Sequence, residues 1–263
     1  EHSKKNTGAK HMKIIGFSQL RNELSKGNLE NWFKSMEMCE YIYIFDQASD
    51  DGSHDVYAQH DNAVVIQSKE NLFRQEILCK KELLEKLLLD HPDTDWIFWM
   101  DGDTVLDQRL LNDNYSMLKD VLDESTESGA DAIKFGHYNL WRSNRHYRVD
   151  SSYHSLDQFG VVPFWKNNGR LNFSALGGLH NAQYPNGMSI VAELKHFKMM
   201  HYGFSTDKQI IDRYNLYKGL GQSGWDLDRL ICERDLQVRQ CETELLPTFI
   251  DSTTPDPTTL ATL

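Results

Sequence analysis

The sequence has no apolar run approaching the ~18 residues a membrane-spanning helix needs, and its amino end lacks a signal-peptide core. Residues 1–11 are polar and read as a leader outside the fold, with Met12 as the native start. Cysteine is sparse. Cys39, Cys79, Cys232 and Cys241 are far apart, form no C-x-x-C pair and sit in apolar or helical contexts, so they read as reduced core residues. That usage predicts a cytoplasmic protein. Of the six prolines, three fall in the segment from Pro247 to Leu263 together with six threonines, which predicts an extended tail over 247–263. A basic surplus is missing too: 28 Lys+Arg stand against 39 Asp+Glu, a formal net charge of −11. Without an overall positive field, tight sequence-independent binding to nucleic acid or anionic membrane is disfavoured.

What is present suits one generous domain. The 263 residues are 40% hydrophobic and 11% aromatic, enough to bury a sizeable core. Disorder, collagen and coiled coil are excluded, and there is no internal repeat. Between Lys13 and Phe135, short β-rich runs alternate with amphipathic stretches, the pattern of parallel βαβ units in an α/β fold. The predicted strands are Lys13–Phe17, Tyr41–Asp46, Ala63–Gln67, Trp96–Met100 and Ala132–Phe135. Most are near-continuous apolar runs, as expected of a sheet covered on both faces. Leu29, Trp32, Phe33 and Met36 fall at helical spacing. So do Phe73, Ile77, Leu84 and Leu88, and again Leu111, Tyr115, Leu118 and Val121. From Gly136 the chain turns polar, aromatic and irregular, so 136–246 reads as a second, mixed half of the same domain. Helices are expected over Thr206–Lys218, with Gly219 in the C-cap position, and over Asp226–Arg234.

The sharpest signal is the run Asp95 to Thr104, in which an apolar strand ends abruptly in Asp101-Gly102-Asp103. Ligands of open α/β sheets bind outside the carboxyl ends of the strands. Two carboxylates spaced by one residue can reach a single hard cation, and glycine lets the backbone approach a ligand closely. The pair reads as a clamp for a divalent cation and a diphosphate; its bland counterpart is a solvated turn. The second strand also ends in a carboxylate, Asp46, ahead of a turn-rich segment with Asp50, Asp51 and Asp55. Asp46 is placed to accept hydrogen bonds from a base or a ribose, or equally to close an Asx-rich turn. These two stretches, Asp46–Asp55 and Asp93–Asp107, contain nine acids and no Lys or Arg, and so hold most of the negative surplus.

Three segments together carry a resemblance: Lys13 to Ser18 with Arg21-Asn22-Glu23, Phe45-Asp46 with Ser49-x-Asp51-Gly52, and Trp96 to Asp103. The chain resembles the nucleotide-sugar-binding half of GT-A fold glycosyltransferases of the family 2 type over residues 13–107, and weakly onward to 218. The resemblance implies a GT-A (Rossmann-like), mostly parallel sheet flanked by helices, with residues 12–135 as the nucleotide-sugar-binding half and 136–246 as the acceptor side. It implies a nucleoside diphosphate sugar as donor, a UDP-sugar first, and inverting transfer to an acceptor that the sequence does not name. Ser18 and Asp46 would then face the nucleotide, Arg74 the diphosphate, Asp101 the ribose or metal, and Asp103 the metal. Many members carry two adjacent acids after the second strand, whereas here Gln47 follows Asp46.

In the second half, His201-Tyr202-Gly203 looks like the late histidine that such enzymes add to the metal. Imidazole suits Mn²⁺ better than Mg²⁺, so Mn²⁺ is the expected ion. His180, in Gly177-Gly178-Leu179-His180-Asn181, falls where related enzymes bind the acceptor. An inverting transferase needs a base at the acceptor hydroxyl, and Asp150 is the first candidate, ahead of His180, Asp157 and Glu193. Tyr138, Trp141, Tyr147, Tyr153 and Trp165 suit either a sugar-stacking wall or a packed second layer. Two other classes compete for the same residues. A sugar-nucleotide pyrophosphorylase needs a glycine-rich phosphate loop after the first strand, which Gly16 to Arg21 does not provide. A non-catalytic carbohydrate- or Ca²⁺-binding module would show no metal-dependent affinity for UDP or GDP.

Overall fold

A computed structural model describes residues 11–150, 160–174, 184–232 and 236–248, the side chains of residues 225 and 226 excepted. In chain order its elements are β1 (Ile14–Leu20), α1 (Leu29–Met36), β2 (Tyr41–Asp46), α2 (Ser53–Tyr57), β3 (Ala63–Gln67), α3 (Glu76–Asp90), β4 (Trp96–Trp99) and β5 (Thr104–Leu106). There follow α4 (Gln108–Glu127), β6 (Ala132–Asn139), β7 (His146–Arg148), β8 (Gly160–Lys166), β9 (Val191–His201), α5 (Asp207–Gly219), α6 (Trp225–Asp228) and β10 (Val238–Gln240). The main sheet has eight strands in the order β3-β2-β1-β4-β8-β6-β9-β5, and β10 pairs with β7 in a small second sheet. Strands β3, β2, β1 and β4 are parallel. Beyond them β8 runs antiparallel to both β4 and β6, and β5 antiparallel to β9. The expected α/β fold, a largely parallel first half followed by a mixed second half, is the fold observed.

The alternation of side chains explains why the first strands read as continuous apolar runs. Ile14, Ile42, Trp96 and Phe98 pack on one face with Trp32, Phe33 and Met36 of α1. Their neighbours Ile15, Phe17, Tyr43, Ile97 and Trp99 pack on the other with Ile77, Leu83, Leu84 and Leu87 of α3. Both faces are covered, so polar positions have nowhere to go. Fully burying each of the larger side chains is worth ~1.5–3 kcal/mol. Gly16 sits beneath α1, where an added Cβ would lie 3.2 Å from Met36 Sδ and 3.4 Å from Cys39 Sγ. Of the cysteines, Cys39, Cys79 and Cys241 are buried, and all four are free.

Three sequence expectations are corrected. The helical stripe through Leu111 and Tyr115 is broken, because Asp113, Asn114 and Tyr115 take left-handed dihedrals inside α4. Asn and Asp tolerate that conformation better than most residues. Helix α5 includes Gly219; its cap is Leu220, and the left-handed residue is Gly221 at φ +88°. The helix expected from Asp226 is only the single turn Trp225–Asp228. Tyr138, Trp141, Tyr147 and Trp165 are all buried: the first three build the core of the second half, and Trp165 packs with Phe17 and Trp99 on the α3 face of the sheet. Tyr153 lies outside the described residues.

The connection through α3 carries the chain from β3, at one side of β1, to β4 at the other. Strand order therefore reverses at β1, and the crevice between the carboxyl ends of β1 and β4 is where such sheets place a ligand.

Candidate active site

The turn after β4 is fixed before any ligand is considered. Ser18 Oγ donates to the Met100 carbonyl at 2.5 Å, and Trp32 Nε1 donates to the same oxygen at 3.4 Å. At Gly102 an added Cβ would lie 2.6 Å from Glu23 Cγ and Cδ and 2.8 Å from Leu20 Cδ2. Only glycine lets this turn press against the end of β1.

The antiparallel pairing of β5 with β9 sets Thr104 opposite His201, and the parallel pairing of β6 with β9 sets Asn139 beside it. His201 Nε2 lies 3.2 Å from Asp103 Oδ2. His201 Nδ1 lies 2.8 Å from Asn139 Oδ1. Since a carboxamide oxygen only accepts, Nδ1 carries a proton, and Nε2 is the ring nitrogen turned toward Asp103. From α5, whose amino end is fixed by a capping box between Thr206 and Gln209, Arg213 reaches the same point. Its Nη2 pairs with Asp103 Oδ2 and its Nη1 lies 3.2 Å from His201 Nε2. The turn between β9 and α5 closes on this cluster at Gly203. An added Cβ there would collide with Arg213 Nη2 and stand 2.5 Å from Asp103 Oδ2 and 2.6 Å from His201 Nε2.

These groups line a cavity of about 200 Å³ with Gln19, Arg21, Glu23, Lys26, Gln47, Phe73, Glu76, Asp101 and Tyr217. A smaller cavity of about 160 Å³ shares Asp101, His201, Arg213 and Tyr217 and adds Trp99, Thr104 and His137. Beside Asp101, the buried Lys80 pairs with Glu76. Burial alone would push the Asp103 carboxyl up, but His201 and Arg213 outweigh it and hold it well below the usual range. Asp101 is exposed to the open cavity, yet protein groups surround its carboxylate closely enough to thin its hydration. That desolvation, with Asp103 and Glu76, outweighs Lys80 and His201 and pushes it up to about 6. Burial, then His201, pushes His137 down to about 3, so its imidazole is neutral at physiological pH.

The raised carboxyl of Asp101 has a thermodynamic consequence. Its folded value exceeds the unfolded one of about 3.9, so ionising it costs stability progressively from pH 4 to 6 and fully above. Asp101→Asn is therefore expected to raise the thermal unfolding midpoint at pH 7.5 and to leave it unchanged at pH 3.5. A variant less stable than the parent at pH 7.5 counts against this environment.

Other sequence candidates are placed elsewhere. Ser18 spends its hydroxyl on Met100. Asp46 is fully buried and accepts from the Ser49 backbone at 3.0 Å and from its hydroxyl at 2.5 Å, so the residue of that turn lining the cavity is Gln47. Arg74 is exposed on the turn before α3, where Phe73 and Glu76 supply the cavity wall. Asp150 is buried against Arg148, 2.6 Å from its Nε, and does not line either cavity. Glu193 pairs with Lys134 and Lys195. His180 and Asp157 lie outside the described residues. Arg213, Lys80 and His137 escaped the sequence reading. The signal available for Arg213 was its helical spacing, three residues after Ile210 and four before Tyr217.

A family model described as the galactosyl transferase GMA12/MNN10 family matches residues 53–156, about two fifths of the chain, from α2 past β7 and including Asp101 to Asp103. The match supports sugar transfer as the class of activity. The glycosyltransferase resemblance thus holds at that level, and the match does not bear out the family 2 type specifically. Among curated proteins none matches. Two solved structures are similar in part. One is mannosyl-3-phosphoglycerate synthase from Rubrobacter xylanophilus, at 20% identity and TM-score 0.32, over 49% of this chain and 41% of that one. The other is a glycosyltransferase involved in the glycosylation of the major capsid of PBCV-1, at 11% identity and TM-score 0.32, over 60% of this chain and 61% of that one. The chain spans less than two thirds of either. Among the described residues no helix is long and apolar enough to cross a membrane.

Proposed function

We propose that this chain is a metal-dependent glycosyltransferase that moves a sugar, a hexose or pentose, from a nucleoside diphosphate donor, a UDP-sugar first, to an acceptor hydroxyl. The observation that carries the reading is the convergence of Asp103 and His201 at the strand-end crevice, with the Nε2 edge of the imidazole aimed by Asn139. A hard carboxylate and an oriented imidazole fit Mn²⁺, and the amide behind the ring is the kind of outer partner that fixes a ligating histidine. Among the described residues no three His, Cys, Asp or Glu side chains are placed to hold one ion. Asp103 and His201 would hold it, with donor oxygens and water completing the set, and Asp101 nearby. Such an ion, when bound, neutralises charge on the departing diphosphate.

The chain's own residues do the rest. Arg21, Lys26 and Arg213 give the cavity fixed positive charge against which a diphosphate packs. Gln47 and Gln19 offer amides at the base end, and Tyr217 borders both cavities. The smaller cavity, with His137 and Thr104, would take the sugar and the approaching hydroxyl. Inversion remains the stereochemical expectation, read by the anomeric proton coupling of the first-formed product.

Calorimetry tests the donor half directly. UDP is expected to bind at least about tenfold tighter with Mn²⁺ than with EDTA, a difference of ~1.4 kcal/mol or more. A protein that binds neither UDP nor GDP under either condition is not this enzyme, and a carbohydrate- or Ca²⁺-binding module would give that result.

A further inference from the structure

Arg213 touches the same two atoms that a divalent cation would need. Its guanidinium pairs with Asp103 Oδ2 and lies 3.2 Å from His201 Nε2. Asp103 is 9% exposed and His201 8%, so neither group has water enough to stand without a partner. A guanidinium and a cation would compete for these two atoms. A cation and a guanidinium at one point would also repel strongly in so dry a setting. Arg213 is itself confined: Phe204 lies under its guanidinium with the ring centre 4.8 Å from Cζ, and Gly203 leaves no room on the turn side. Its open side faces the two cavities, whose shared wall it forms.

We infer that Arg213 is an exchangeable internal counter-cation: it guards Asp103 and His201 until a diphosphate draws it off, so that metal and donor enter as a coupled pair. The inference rests on the transferase reading above. A planar guanidinium matches two phosphate oxygens as well as it matches a carboxylate. Leaving Asp103 for a diphosphate therefore costs the arginine little, and the vacated atoms take the cation that the same diphosphate needs. The outcome is a coupling free energy between the two ligands that exceeds their direct attraction. Tyr217, four residues on and lining both cavities, borders the path of the side chain.

The test reads metal binding without turnover. Mn²⁺ is titrated calorimetrically into the full chain, the Arg213→Met and Arg213→Lys variants, first alone and then with saturating UDP. Arg213→Met is expected to bind Mn²⁺ without nucleotide at least about tenfold tighter than the parent, because a repelling charge has gone. The factor by which UDP tightens Mn²⁺ binding should shrink correspondingly. Arg213→Lys keeps the charge but reaches only one of the two atoms, so its Mn²⁺ affinity should fall between the other two. The inference is overturned if folded Arg213→Met, or Arg213→Lys should the first not fold, binds Mn²⁺ no tighter than the parent. If the parent binds Mn²⁺ and UDP together and the variants leave Mn²⁺ affinity unchanged, only this inference fails. If the parent binds no nucleotide, the transferase reading falls with it.

Discussion

Asp103→Asn is expected to lower kcat/KM for the preferred UDP-sugar by about 10³-fold or more, a loss of ~4 kcal/mol of transition-state stabilisation. Asparagine keeps the shape and one oxygen but removes the negative charge that would share a cation with His201. The variant should also be less stable, since Arg213, with a quarter of its side chain exposed, loses its ion-pair partner. The two effects separate by pH. The folded carboxyl of Asp103 is held below its unfolded value by His201 and Arg213. Its stabilising contribution is therefore complete above about pH 4 and is lost as pH falls through the depressed folded value. The gap in unfolding midpoint between parent and variant should be full at pH 7 and close in stronger acid. A panel of UDP-sugars assayed for Mn²⁺-dependent hydrolysis measures the rate effect, and undiminished turnover by Asp103→Asn would sink the metal-site assignment.

Gly203→Ala should be nearly as damaging without changing any functional group. Its methyl would meet Arg213 Nη2, Asp103 Oδ2 and His201 Nε2 together. The arginine can swing aside, but Asp103 and His201 are held by paired strands, so the turn must shift. Overpacking of this kind costs ~1–3 kcal/mol of stability, and a misplacement of about 1 Å at reacting groups can cost ~10²-fold in rate. Gly219→Ala is the matched control, because an added Cβ there meets nothing within 4 Å, and alanine is the better helix former. Thermal melts and donor turnover of the two variants should diverge sharply; equal behaviour would mean that the β9–α5 turn is looser than the geometry requires.

The parallel half was legible because its physics is local. β2 and β3 occupy the predicted spans Tyr41–Asp46 and Ala63–Gln67, where both faces are buried and the apolar run is the strand. Asp101 and Asp103 followed from the same logic, since an apolar strand that stops at two carboxylates must stop at a sheet edge. Asp46 shows where it fails: a strand-end acid can equally close its own turn, as it does with Ser49, and nothing in the sequence separates the two. The two acidic stretches divide in the same way between site and turn. Of their nine acids, Asp101 and Asp103 line the cavity. Asp51 caps the backbone at Ser25 and Ser53, Asp93 pairs with Lys13, Asp95 accepts from the Lys13 backbone, and Asp107 caps α4 and binds Arg109. The cavity wall is balanced, with Arg21, Lys26 and Arg213 beside Glu23, Glu76, Asp101 and Asp103 and Lys80 behind them. Arg213's role was not legible because it depends on how the fold brings α5 over Asp103 and His201, 110 and 12 residues away in sequence.

The register of β9 between β6 and β5 gives the site a place in time as well as in space. Asp103 and His201 are 98 residues apart in sequence, and their pairing requires β9 to have threaded between two strands formed from the intervening chain. Contacts of such separation pay their loop-closure entropy before they are rewarded. The β1, β2 and β3 strands, paired across only 26 and 21 residues, can collapse earlier from nearer neighbours. Recovery of cation-dependent nucleotide binding during refolding should therefore lag behind recovery of secondary structure, making the site a clock for the last strand to dock.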